Sequence, residues 1–240
     1  MRKIQLLLLF LPLLGFSQNK KNVVSVERYF PKMAKAMEFE KALTAHVQKF
    51  HNGDWKWRVY AIETGPDAGG YQVVEGPNTW DEFDKRGDLG LAHMTDWNKN
   101  VAVYLTDKYS AMYVVYNEGL SSVPLTEFSD KISITHVFPK PGWSDKVEEI
   151  IKNLKKTWDA ATQSVAVYQA NSSGPVQYTL VTRYKQGLKE KETGFRSPFK
   201  ERYEGINGAG SYDKYEESIS NSTDNVWSEL LSYKKDLSAK

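Results

Sequence analysis

Val24-Ser25-Val26-Glu27-Arg28-Tyr29-Phe30-Pro31-Lys32 returns 108 residues later as Ile132-Ser133-Ile134-Thr135-His136-Val137-Phe138-Pro139-Lys140. Four of the nine positions are identical and two exchange Val for Ile. At the same offset Val59-Tyr60 returns as Val167-Tyr168. Self-similarity of this kind sets the architecture before any local reading, because each copy is expected to fold alike. The chain therefore reads as two tandem units, residues 18–125 and 126–240, behind a leader at residues 1–17.

Each unit spells strand, helix, strand, strand, helix. Val23–Phe30 is β-branched and apolar, and Pro31 closes it, as does Pro139 after Ile132–Phe138. A helix follows in each. In the second unit Val147, Ile150, Ile151, Leu154 and Trp158 fall on one helical stripe, with Ser144 as the expected N-cap. The matching places in the first unit are Phe39, Ala42, Leu43, His46 and Phe50. Lys56–Ile62 and Tyr71–Glu75 flank a Gly/Pro turn, as do Ser164–Ala170 and Tyr178–Arg183, so both pairs read as hairpins. Thr79-Trp80-Asp81-Glu82 is a capping box opening a second helix. Residues from Trp97 to about Asp107 read as helical, and Met112–Tyr116 as a fourth strand. In the second unit Tyr212–Ser220 and Asn225–Leu231 read as helical, which leaves its fourth strand short or missing. Residues 118–129 read as the link.

A βαββαβ unit is ferredoxin-like, with helices on one face of an antiparallel sheet. Alternation along the first strand puts Val24, Val26 and Phe30 on one face, assigned to the helices. Ser25, Glu27 and Tyr29 then fall on the other. That second face suits a shielded surface, and two such sheets facing each other shield it. The expected fold is α+β: two tandem ferredoxin-like repeats packed sheet to sheet as an intrachain α/β barrel. Glu27 and Tyr29 on strand one, Arg58 and Tyr60 on strand two, and Glu75 on strand three are expected to line the cavity, with Trp57 and Val59 turned outward. Thr135, Tyr168 and Thr182 hold the matching places. Two carboxylates facing a cavity suit an acid/base pair if burial raises one of them. The plainer reading is a cross-strand Glu27–Arg58 ion pair. His46 on the helix stripe reads either as a core histidine or as a ligand, and His51 as a cation at the helix C-terminus.

In element order and duplication the chain resembles the dimeric α/β-barrel superfamily, which includes antibiotic-biosynthesis-monooxygenase-like and NIPSNAP-like proteins. The resemblance spans nearly all of residues 23–235 and implies an intrachain version of that barrel. Its haem-degrading branch binds iron through a histidine on the second helix, with an Asn on strand one and a Trp near the barrel wall. His93 and Trp80 are the residues that could take two of those parts. The strand-one Asn is absent, and the second unit has no matching His.

Composition narrows the function classes. Arg2 and Lys3 precede an apolar run from Ile4 to Phe16, with Gly15 and Ser17 before Gln18. That is the pattern of a secretory leader, too short to span a bilayer, so a periplasmic or secreted protein is expected. Beyond the leader, Lys+Arg fall from 32 to 30 against 30 Asp+Glu. A neutral chain with no basic stripe excludes nucleic-acid binding, and no membrane contact is expected after cleavage. The chain has no cysteine, which removes disulfides, thiol catalysis and Cys-metal sites. Aromatics reach 13%, which suits a core and a lined cavity. No HExxH pair, no GxSxG elbow and no Walker lysine loop is present. Gly205–Gly210 reads as a flexible loop, and Asn221-Ser222-Thr223 fits a glycosylation sequon. No metal ligands and no cofactor are expected, and no catalytic residue is assigned. The function expected is binding of a small, partly apolar ligand in the barrel. A cofactor-independent monooxygenase or haem-handling enzyme, and a non-catalytic interaction scaffold, stand as alternatives. A homodimer stays open.

Overall fold

The computed structural model describes residues 20–170 and 172–240. The leader expected over residues 1–17 lies outside them. Among the described residues no helix is long and apolar enough to cross a membrane.

The first half runs β1 (Val23–Pro31), α1 (Ala36–Phe50), β2 (Trp57–Ile62), β3 (Tyr71–Asn78), α2 (Trp80–Arg86), α3 (Leu91–Asp96) and β4 (Leu105–Tyr116). The second runs β5 (Lys131–Pro139), α4 (Ser144–Ala160), β6 (Val165–Ala170), β7 (Gln177–Arg183), α5 (Phe199–Asn207), α6 (Ser211–Ser222) and β8 (Thr223–Tyr233). The strands form one closed barrel in the order β1-β3-β2-β8-β5-β7-β6-β4, antiparallel throughout. The halves therefore join edge to edge. Tyr60, Ala61 and Ile62 pair with Tyr233, Ser232 and Leu231, and Val115 and Tyr116 with Gln169 and Tyr168. Closure leaves no unpaired edge, and eight strands enclose a lumen that side chains nearly fill.

The fourth strand of the second half is eleven residues long, not short or missing. Asn225–Leu231 is part of it rather than helical. Trp227, Leu230 and Leu231 stand at helical spacing, which misleads the periodicity. The strand alternation that matters is Trp227, Glu229, Leu231, and the buried carboxylate hides it. Helical residues 97–104 are a π-helical and a 3-10 turn, and β4 already begins at Leu105. Thr79 and Glu82 form the expected capping box. Ser144 is the first residue of α4 rather than its cap, which is Trp143 without a side-chain bond.

Strand one faces opposite to the sequence expectation. Val24, Val26 and Arg28 line the lumen, while Tyr29 packs outward with Phe39, Leu43 and Val47 of α1. No residue of β1 is exposed on either face, so alternation separates its two faces poorly. The narrow lumen takes the aliphatic set, and the outer face takes rings whose polar edges reach partners. The helix stripes hold: Val147, Ile150, Ile151, Leu154 and Trp158 are buried under α4, and Phe39, Leu43 and His46 under α1.

Candidate functional site

The waist of the lumen is aliphatic, formed by Val24, Val26, Val74, Val114, Ile132, Ile134 and Val181 with Met112. A void remains there with about 80 Å³ open to the centre of a water molecule. One water needs roughly 10–15 Å³ on that measure, so several waters or one small organic molecule fit.

The two ends differ in charge. At one end Arg28 donates to Asp67 Oδ2 at 2.7 Å, to Gln72 Oε1 at 2.8 Å and to both carboxylate oxygens of Glu229. His136 also meets Glu229, Nε2 to Oε1 at 2.8 Å, and its Nδ1 lies 3.3 Å from Gln177. Its ring stacks on Trp227 at 4.0 Å. Burial works to raise the Asp67 carboxyl, but hydrogen bonds from Lys108 and Arg28 win and hold it below the usual range. This end is a closed, charge-balanced plug.

At the other end Arg58 and Arg183 converge on the ring of Phe128, with guanidinium carbons 4.1 and 5.7 Å from its centroid. Arg58 Nη1 donates to the Gly76 carbonyl at 3.0 Å. Arg183, 4% exposed, donates to the Pro124 carbonyl at 3.0 Å and to the Tyr168 hydroxyl at 3.2 Å. No carboxylate of the described residues lies within 4.0 Å of either guanidinium. Burial pushes the Tyr60 phenol up to about 12, against the pull of Arg58 and Arg183. Burial likewise raises Tyr168, opposed by Arg183.

Of the residues expected in the cavity, Arg58 and Tyr60 line it. Trp57 and Val59 face outward as expected and join the outer core. Glu27, Tyr29 and Glu75 lie on the outer face. The Tyr29 and Tyr109 hydroxyls both donate to Glu27 Oε2, the latter at 3.0 Å, and burial, with the Glu27 charge, raises the Tyr29 phenol strongly. Glu75 accepts from Trp57 Nε1 at 2.8 Å and from Arg86 at 3.0 Å. The two carboxylates share no cavity, and no Glu27–Arg58 pair forms. Tyr168 lines the lumen. Thr135 bonds Ser228 at 2.8 Å and, like Thr182, is absent from the lumen wall.

Trp80 and His93 are not brought together. Trp80 is half exposed against Tyr113. His93, on α3, faces the end of α1, its ring 4.8 Å from His46, 5.2 Å from His51 and 5.3 Å from Phe50. Burial pushes His46 down to about 4 despite the hydrogen bond it donates to Asp96, and burial lowers His93, with His51 and Arg86 adding to it. His51, expected as a helix-end cation, is fully buried and stacks on Trp57 at 3.6 Å. The sequence reading, which expects no metal ligands, missed this grouping. It also missed Arg28, His136, Arg183 and Glu229 in the lumen. One signal was available: Arg28 and His136 occupy the same place in the two nine-residue stretches.

No family profile and no curated protein matches the chain. Solved structures do. The "putative monooxygenase" of Lactobacillus acidophilus NCFM aligns with TM-score 0.55 at 12% identity, over 92% of this chain and 97% of that one. A counterpart of the same description from Fusobacterium nucleatum gives 0.57 at 14%, over 89% and 92%. The chlorite dismutase of Candidatus Nitrospira defluvii gives 0.53 at 6%, over 90% and 92%. The chain shares their fold. At these identities the likeness concerns architecture alone.

Proposed function

We propose that the protein binds a small, largely apolar molecule carrying one negative charge inside the barrel, with Arg58 and Arg183 holding the anion. The observation that carries this reading is the pair of guanidiniums at the lumen mouth with no acidic partner within 4.0 Å among the described residues. Burying a cation is costly unless it is paired, and a guanidinium fork matches a carboxylate with two parallel hydrogen bonds. The aliphatic waist takes the rest of the ligand, and the Tyr60 and Tyr168 hydroxyls give it polar edges. Phe128 lies over both arginines, so the ligand enters by displacing that ring.

Benzoate and its neutral counterpart benzyl alcohol test this by calorimetry. Benzoate is expected to bind at least about tenfold more tightly, the worth of one charge-assisted hydrogen bond. Arg183→Gln is expected to remove that preference. Equal affinity for the two probes refutes the anion reading.

The enzyme alternative is a cofactor-independent oxygenase, supported by the fold shared with the two bacterial structures above and with an anthrone oxidase-like protein. Both ring nitrogens of His136 are engaged by Glu229 and Gln177, so the lumen offers no uncommitted imidazole base, and binding is favoured over catalysis. Dioxygen uptake with anthrone separates the two. The haem variant has a specific obstacle. The rings of His46, His51 and Phe50 crowd His93 at about 5 Å, which leaves no slot for a porphyrin face there. Two further readings complete the proposal: the halves are copies of one ferredoxin-like unit, supported by the nine-residue correspondence, and the mature protein is exported, supported by the leader-like residues 1–17.

A further inference from the structure

Three of the four histidines in the chain meet in the seam between α1, α3 and the outer face of the barrel. His46 lies on α1. His51 stands just past its end, five residues on, where a continued helix would turn it about 140° away. The chain leaves helical geometry there, with φ −121° and ψ 34°, and the ring folds back beside His46. His93 comes from α3. One nitrogen of each ring lies within 4.8 Å of the other two.

Two of the three rings are held by their surroundings. The Nδ1 of His46 is 2.9 Å from Asp96 Oδ2. Asp96 is itself fixed by Asn100 at 3.1 Å and Lys49 at 3.4 Å. That commits the proton to Nδ1 and leaves a lone pair on Nε2. This Nε2 is fully buried and has no hydrogen-bond partner. His51 Nδ1 faces the Trp55 carbonyl at 3.2 Å, which fixes the same tautomer and turns Nε2 toward the group. His51 Nε2 and His93 Nε2 lie 3.3 Å apart. A tetrahedral centre with metal–nitrogen bonds of roughly 2.0–2.1 Å has edges of about 3.3–3.4 Å, so two ligands already stand at that spacing. The nearest full charges besides Asp96 and Lys49, Glu75 and Arg86, neutralise each other in a 2.9 Å ion pair.

We propose that His46, His51 and His93 bind a divalent transition metal of the zinc class. Three imidazoles, two of them oriented by a carboxylate and a backbone carbonyl, form the donor set of an open zinc site, whose fourth position takes water. His93, on a short and half-exposed helix, is the ligand that closes the remaining gap. The site is independent of the lumen, because the barrel wall separates its residues from Arg58 and Arg183.

The test uses the full chain without an affinity tag, stripped by chelator and titrated with Co2+. One Co2+ per chain is expected, with the intense visible bands of a four-coordinate centre, displaced by Zn2+. His93→Gln is expected to abolish the bands while circular dichroism stays native. Asp96→Asn, which removes only the orienting carboxylate, is expected to weaken binding by about 10–100-fold. Weak bands without saturation, or an unchanged affinity in His93→Gln, overturn the proposal. Should that variant fail to fold, nitrogen NMR of the histidine-labelled wild-type chain decides. Zn2+ is expected to move three imidazoles and leave His136 in place, and four unmoved imidazoles overturn the site.

Discussion

Under α4 the outer face of the barrel meets Val147, Ile150, Ile151, Leu154 and Trp158. Under α1 the matching places hold Phe39, Ala42, Leu43, His46 and Phe50. The α4 seam closes over Val165, Val167, Tyr178 and Leu180, and α5 and α6 add Tyr203 with Phe199, Tyr212 and Tyr215 around it. The α1 seam closes over Trp57, Val59, Tyr71 and Val73, with Trp97 from the π-helical turn. Into this second arrangement the chain introduces three imidazoles, an Asp and a Glu–Arg pair. A hydrophobic stripe suffices to seat a helix on this barrel, as α4 demonstrates. The polar group under α1 is therefore an addition the architecture does not require, as the metal proposal expects.

The largest effect belongs to the apolar seam. Trp158→Ala removes a buried ring, 5% exposed, and is expected to cost about 3–5 kcal/mol by urea unfolding, with Leu154→Ala at about 2–5. His46→Leu makes the α1 seam resemble the α4 seam at the position where they differ most. It removes a buried nitrogen that has no partner, and Asp96 retains Lys49 and Asn100. Replacement by an apolar group of similar volume is expected to change stability by less than about 1.5 kcal/mol, in either direction. A loss as large as that of Leu154→Ala would show that the imidazole holds the helix in place, and the contrast between the seams would vanish.

The same contrast explains which parts of the molecule can be read from the chain. The α4 stripe is uninterrupted, and its buried face is legible, although the expected cap Ser144 is the first helical residue. The two nine-residue stretches place β1 and β5, and the hairpins follow from their Gly/Pro turns. Where a buried charge enters the pattern, reading fails. Arg28 on β1 and Glu229 on β8 pair with each other across the lumen, and each looks solvent-facing when taken alone. The first shares the β1 face of Val24 and Val26, which the alternation assigns to the helices and which lines the lumen. The second broke the alternation of β8 and left a helical spacing in its place. The histidine group has the same character. His46, His51 and His93 sit at no metal-binding spacing, because their meeting depends on where α3 lands against the end of α1. A single chain carries no signal for that placement.

A further effect is one of pH, and it acts on the α1 seam through His46. Burial holds His46 down to about 4, below its ordinary 6.5. The unfolded chain therefore takes up a proton near pH 6.5 that the folded chain refuses until about pH 4. The contribution to stability is whole above pH 6.5 and is lost as the pH falls through that window. The shift sets a ceiling of about 3 kcal/mol, and screening at the rim, where Asp96 and Lys49 meet water, leaves on the order of 1–2 kcal/mol. Urea midpoints at pH 7 and pH 5 measure it. His46→Leu is expected to flatten the fall, whereas Leu154→Ala is expected to lower both midpoints and leave the slope between them intact. A pH slope that survives in His46→Leu would show that His46 is not the group that titrates. Bound metal sharpens the comparison further: a nitrogen that ligates Zn2+ competes against the proton, so saturating Zn2+ should steepen the loss of stability below pH 6.5 in the wild-type chain and leave His46→Leu unchanged.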